Sequence, residues 1–156
     1  MLTEFCTPYK EEELSDGLGV AKDLHDTLLD LRTKKGFGRG IAAPQIGVNK
    51  RLVVLQLEKP LYLFNPELHD LSPETFELWD DCFSFPDLLV RVRRHRSLRL
   101  PYRDHKWREQ SLNAHGAVSE LLQHEVDHLD GILATARAVD AKAFALKSQR
   151  HLIELP

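Results

Sequence analysis

His124, Glu125 and His128 stand in the order His-Glu-x-x-His. On an α-helix, residues four apart share a face. Two imidazoles at that spacing can reach one cation, while the glutamate beside them points at a bound water. A helical wheel supports the placement. Val118, Leu122, Leu129 and Ile132 form an apolar arc, and Glu120, Gln123, Asp127 and Asp130 form the opposite, polar one. The two histidines lie at the edge of the apolar arc and Glu125 falls within it. Burying an unpaired carboxylate costs on the order of several kcal/mol, so a glutamate there is explained by a partner cation or a working proton. Gly131 is placed to stop the helix.

A chance His-Glu-x-x-His on a helix is not rare, so the third ligand decides more. The metzincin continuation fails because Ala134 stands where its last histidine belongs. A thermolysin-like downstream glutamate would have to be Glu154, almost at the end of the sequence. Upstream, Cys82 lies between Asp80-Asp81 and Phe83-Ser84. A Cys-His-His set leaves a fourth tetrahedral position for water, as catalytic sites require. Taken alone, a single cysteine is more often a buried apolar residue, and that is the reading for Cys6. The glycine-rich segment at residues 38–45 ends in Gln45. It lacks both the dinucleotide pattern and the Gly-Lys-Ser/Thr of a P-loop, so its small residues suit a backbone that approaches a ligand or metal shell closely.

These residues need elements to hold them. Val20, Leu24, Leu28 and Leu31 recur at helical spacing, and Gly36 ends the pattern. Before them, residues 1–18 read as polar and irregular, with a solvated acidic run at Glu11, Glu12 and Glu13. The period then changes. Apolar runs at residues 52–57 and 61–64 read as paired strands, and alternating runs follow at 76–78, 90–93 and 98–102. Asp104-His105 turns the chain into a last strand over residues 107–112. Strands at short intervals, with helices before and after, predict an α+β fold in which mixed or antiparallel sheets surround a central His-Glu-x-x-His helix.

Composition narrows the class. The 156 residues carry 21 Lys+Arg and 24 Asp+Glu, a net charge of −3, which argues against a nucleic-acid coat. Arg91, Arg93 and Arg99 alternate with apolar neighbours and read as the wet face of an antiparallel sheet. Two cysteines supply no disulfide framework. No apolar run approaches a membrane span, and the first residues lack a signal peptide's regions. The expectation is a single cytoplasmic metallohydrolase domain over residues 1–156, frayed over 1–18, with no membrane and no specific nucleic-acid partner. Eight histidines make a metal site worth seeking.

Three segments in order, residues 38–45, 80–84 and 123–128, resemble the Gly-x-Gly-φ-Ala-Ala-x-Gln, Glu-Gly-Cys-φ-Ser and Gln-His-Glu-x-Asp-His motifs of the peptide deformylase family. Asn65-Pro66-Glu67 also matches a common sequence of that family, and the resemblance covers roughly residues 20–140. It implies that Cys82, His124 and His128 hold one divalent ion, Fe(II) natively with Zn, Ni or Co tolerated. Glu125 would be general base and then general acid, and Gln45 with the backbone N–H of Phe83 would bind the developing oxyanion. Gly40, Ile41 and Phe83 would contact substrate. The implied reaction removes the N-formyl group from the N-terminal methionine of nascent peptides and releases formate. The implied partners are formyl-methionyl peptides and the ribosome near its exit tunnel.

Three positions depart from the family pattern. Asp80 shortens its glutamate, Phe83 enlarges an aliphatic residue, and Asp81 replaces a glycine. Asp81 puts a carboxylate beside a metal thiolate and removes glycine's freedom of φ. Two other readings stay open at this stage: a hydrolase of the same fold acting on another N-formyl or N-acyl compound, and an inactive metal-bound binder of nascent chains or the ribosome. The presence of Glu125 and Gln45 weighs against the inactive binder, which needs neither a base nor an oxyanion donor.

Overall fold

The apolar run that begins at Leu52 does not alternate, because it is buried on both sides. In the computed structural model, which describes residues 2–153, the elements are α1 (Leu14–Lys35), β1 (Gly40–Ala42), β2 (Leu52–Gln56), β3 (Pro60–Phe64), β4 (Thr75–Cys82), β5 (Phe85–His95), β6 (Ser97–Arg103), β7 (Glu109–His115), α2 (Gly116–Leu129) and β8 (Phe144–Leu146). Five strands form one antiparallel sheet in the order β1-β2-β3-β6-β7, and β4-β5-β8 form a second. The larger sheet lies between the two helices. On one face Ile41, Leu52, Val54 and Phe64 pack with Ala21, Leu24 and Leu28 of α1. On the other, Val53, Leu55, Leu63, Leu98 and Leu100 pack with Leu122, Val126 and Leu129 of α2. Each fully buried Leu or Val contributes about 1.5–3 kcal/mol by leaving water, so β2 anchors both layers. The α+β class with antiparallel sheets around the His-Glu-x-x-His helix matches the expectation.

The N-terminal segment does not. Residues 1–18 were expected to be irregular or frayed, yet α1 starts at Leu14, Cys6 is fully buried and Tyr9 nearly so. Cys6 donates its N–H to Leu129 O at 2.8 Å, and Tyr9 meets the Phe64 ring edge-on at 5.3 Å. The acidic run works at the helix start, where Glu13 accepts the Lys10 N–H and pairs with Lys50 at 2.7 Å. Two apolar anchors in a polar stretch carry no periodicity, so pattern alone misses them. Gly36 ends α1 with φ 75°, as its position predicts.

The strands run longer than their apolar cores, and two short ones went unrecognised. Residues 40–42 of the glycine-rich segment pair with β2 (Gly40 with Leu55, Ala42 with Val53), and β8 pairs with β5. On β5, Val90, Val92 and Arg94 face inward, while Arg91 and Arg93 face out. The outward arginines are matched by acids: Arg91 with Asp140, Arg93 with Glu77, Arg96 with Glu74 and Arg99 with Asp70. The arginine-rich strands thus form a surface of mixed charge. Among the described residues no helix is long and apolar enough to cross a membrane.

Candidate metal centre

From Ser119 to Leu129 every residue of α2 is buried. Its polar arc therefore faces protein, and each member has a partner there. Gln123 accepts the His95 N–H at 2.9 Å and donates to His95 O at 2.9 Å. Asp127 takes Arg94 at 2.5 Å and Arg137 at 2.7 Å. Just past the helix, Asp130 takes Arg51 at 2.6 Å. Glu120 takes Arg39 at 2.5 Å. These bonds lock the roll of the helix and so the direction in which His124, Glu125 and His128 point.

Cys82 arrives from another layer. It ends β4, where the pairing with β5 shifts register between Asp81 and Cys82. Its Sγ lies 3.2 Å from His128 Nε2, which lies 3.1 Å from His124 Nε2. One ligand atom from each of the three buried residues falls within 4.8 Å of the other two. Asp80, one pleat before, accepts from His124 Nδ1 at 2.8 Å and is itself held by Arg94 at 3.3 Å. A proton on Nδ1 leaves Nε2 as the lone-pair nitrogen facing Cys82 and His128, the usual arrangement behind a metal-ligating histidine. Burial opposes both charges, but Asp80 holds His124 well above the usual imidazole range. Burial likewise opposes the Cys82 thiolate, yet hydrogen bonds from and charges on His124 and His128 outweigh it and bring the thiol to about 5. A divalent cation can take the place of the ring protons that these histidines direct at the thiolate, so the donor set passes as a metal site on chemistry and spacing. Glu154, the alternative ligand, lies outside the described residues.

Glu125 is beside the triad rather than in it. Its Oε2 is buried with no hydrogen-bond partner among the described residues, and burial pushes its carboxyl up to about 7. Gly40 explains the room it has: a Cβ there would lie 2.7 Å from Glu125 Oε1. Gln45 follows β1 in a short 3-10 turn. Its Oε1 accepts the Ala42 N–H at 2.9 Å, which aims its Nε2 at Ser84 Oγ (3.2 Å) and Cys82 Sγ (3.7 Å). A donor fixed in this way costs no reorganisation when charge develops on an acyl oxygen. Gln45→Leu is expected to lower kcat by about 10²-fold with metal content unchanged, a loss that steady-state kinetics beside a metal assay would separate from loss of the ion.

Ile41 is buried in the sheet. Its side chain is 1% exposed and packs under α1 with Leu24, Leu28 and Val54, so only its backbone stays at the open edge of the sheet. Phe83 turns its ring onto Phe37, stacked at 5.0 Å. Gly38, at φ +106°, leaves it space, for a Cβ there would lie 2.0 Å from Phe83 Cζ.

Asp81 is engaged by a lysine and not by any of the three ligands. Its carboxylate is 3.0 Å from Lys147 Nζ, a charge contact without hydrogen-bond geometry, and Lys147 also sits over the Phe37 ring. Asp81 is not among the residues with positive φ, so glycine's freedom is not needed there. The Asp81 charge is already answered by Lys147, so Asp81→Asn is expected to change kcat/KM by no more than about five-fold. A larger change in formate release would show that this charge is felt at the centre. Sequence reading gave no role to Arg39, Ser84, Arg94 or Lys147. Arg94 had a signal, since it continues the inward alternation of Val90 and Val92.

With the geometry described, the chain can be set beside known proteins. Residues 1–144 match the family model described as polypeptide deformylase. A peptide deformylase of a Picosynechococcus species is 34% identical over 148 residues, covering 85% of this chain and 76% of the relative. One of Salinibacter ruber is 39% identical over 139 residues, covering 80% and 71%. The Met-Ala-Ser-bound class I type b peptide deformylase of Acinetobacter baumannii superimposes with a TM-score of 0.80 at 27% identity, covering 87% of this chain and 91% of that one.

Proposed function

We propose, for a chain that belongs to the peptide deformylase family and so removes the N-formyl group from nascent peptides, a division of labour among its own residues. Cys82, His124 and His128 hold the metal on which the family depends, Glu125 moves the proton, and Gln45 with the Phe83 N–H receives the oxyanion. Gly40 and the Ile41 backbone position the peptide. The observation that carries this reading is the convergence of three buried ligand atoms beside a glutamate oxygen that has no partner of its own.

When bound, the cation supplies Lewis-acid polarisation and a water made acidic enough to attack near neutral pH. Glu125 accepts a proton from that water as its oxygen adds to the formyl carbon. Gln45 Nε2 and the Phe83 N–H donate to the formyl oxygen, whose negative charge exists only after addition. The C–N bond then breaks, Glu125 returns its proton to the departing amine, and formate leaves. Asp80 keeps His124 in the tautomer that binding requires, and Arg94 keeps Asp80 in place.

One thiolate with two imidazoles suits Fe(II), with Zn, Ni and Co as acceptable substitutes. The substrates are formyl-methionyl peptides. Because they are made on the ribosome, the reading places a single catalytic domain in the cytoplasm near the exit tunnel. The test is formate release from formyl-Met-Ala-Ser beside acetyl-Met-Ala-Ser. Formate from the first and no acetate from the second is the expected result. Faster acetate release would favour a hydrolase for other N-acyl compounds, and no release from either would leave only a binder.

A further inference from the structure

Beside the triad lies a cavity of about 70 Å³ that is open to solvent. Its floor is His124 and Glu125, and Leu121 lines it from α2. One wall is charged. Arg39, just before β1, reaches across to Glu120 on α2, with Nη2 at 2.5 Å from Oε1 and Nη1 donating to Ala117 O at 3.3 Å. Glu120 is one helical turn before His124, so it shares the stripe that carries both histidines. Its side chain is 11% exposed, whereas that of Arg39 is 41% exposed. The other acids that line the space, Asp80 and Asp81, are already committed to Arg94 with His124 and to Lys147. Glu125 and Gln45 also line the space but serve the reaction itself, so the Arg39–Glu120 pair is the charged group there with no part in the chemistry.

A formyl carbon placed among Cys82, His124 and Glu125 leaves its own residue's side chain to occupy this cavity. A wholly apolar end there strips water from the pair and returns no hydrogen bond, which costs free energy. A carboxamide of the same length offers N–H to the Glu120 carboxylate and C=O to the Arg39 guanidinium. We propose that the Arg39–Glu120 pair determines specificity in deformylation, selecting a formylated residue whose side chain ends in hydrogen-bonding groups over an equally long apolar one. Methionine, whose sulfur is a weak acceptor, shares that advantage over norleucine. The inference rests on the deformylase reading given above.

The experiment compares kcat/KM for formate release from formyl-Gln-Ala-Ser, formyl-Met-Ala-Ser and formyl-norleucyl-Ala-Ser, using metal-loaded protein. The wild type should take methionine and glutamine each at least as well as norleucine. In Arg39→Leu/Glu120→Leu the glutamine-to-norleucine ratio should fall by at least about ten-fold, the equivalent of one or two lost hydrogen bonds. Should that double variant unfold, Glu120→Leu alone carries the same expectation, because Arg39 is exposed enough to be hydrated without a partner. A ratio unmoved by either variant, or a wild-type preference for norleucine above about ten-fold, overturns the proposal and leaves the deformylase reading intact. No formate from any of the three peptides overturns both.

Discussion

Glu125→Gln is expected to retain its metal and lose about 10³-fold in kcat, within the range a single proton-transfer group supplies. The structure separates the two properties. Glu125 stands outside the convergence of Cys82, His124 and His128, so the ion does not depend on it. Its Oε2 has no partner among the described residues, so nothing else there can stand in for the proton acceptor. An apolar variant should move stability the other way. A buried carboxylate without a partner costs about 1–3 kcal/mol, and an apolar Glu125→Leu removes that cost. Metal-free Glu125→Leu should therefore melt a few degrees above the metal-free wild type. Metal analysis, single-turnover formate release and thermal unfolding of the metal-free proteins check all three points. Turnover near the wild-type level would remove Glu125 from the mechanism while leaving the family assignment untouched.

Cys82→Ala should lose the ion itself. Metal binding to four-ligand protein sites is worth about 10–16 kcal/mol in total, so one ligand accounts for about 3 kcal/mol or ~10²-fold in affinity. Formate release should fall in step with bound metal and recover in part when excess metal is added. His128→Ala should behave alike, since His128 Nε2 lies within 3.2 Å of both Cys82 Sγ and His124 Nε2. The cysteine is the sharper test. It comes from β4 in the second sheet, and its presence at the site depends on the register shift after Asp81. Full metal occupancy in Cys82→Ala would mean that the third ligand is another residue.

The helix that bears the site was legible because its information is local. A spacing of four puts two histidines on one face whatever the rest of the chain does, and the apolar residues of α1 and β2 announce period or burial within a dozen residues. Ligand chemistry made Cys82 a candidate, and motif order, through likeness to a family, gave Cys82 and Gln45 their roles. The N-terminal anchors Cys6 and Tyr9 and the edge strand β8 left no such trace, because an isolated apolar residue has no period.

Local sequence therefore held the set of groups able to do the chemistry, and the helix on which three of them lie. Tertiary structure decided what surrounds them. The polar arc of α2 read as an ordinary hydrophilic face, but it is buried, and its acids answer arginines far away in sequence: Arg94 to Asp127, and Arg39 to Glu120 across 81 positions. Asp81 looked like a charge set against the metal thiolate, until the chain's return at Lys147 gave that charge a partner of its own. Such pairings join segments whose separation is set by how sheets and helices close on one another. Local periodicity holds no record of them, and the low polarity of the packed interior makes each buried charge depend on the partner it finds there.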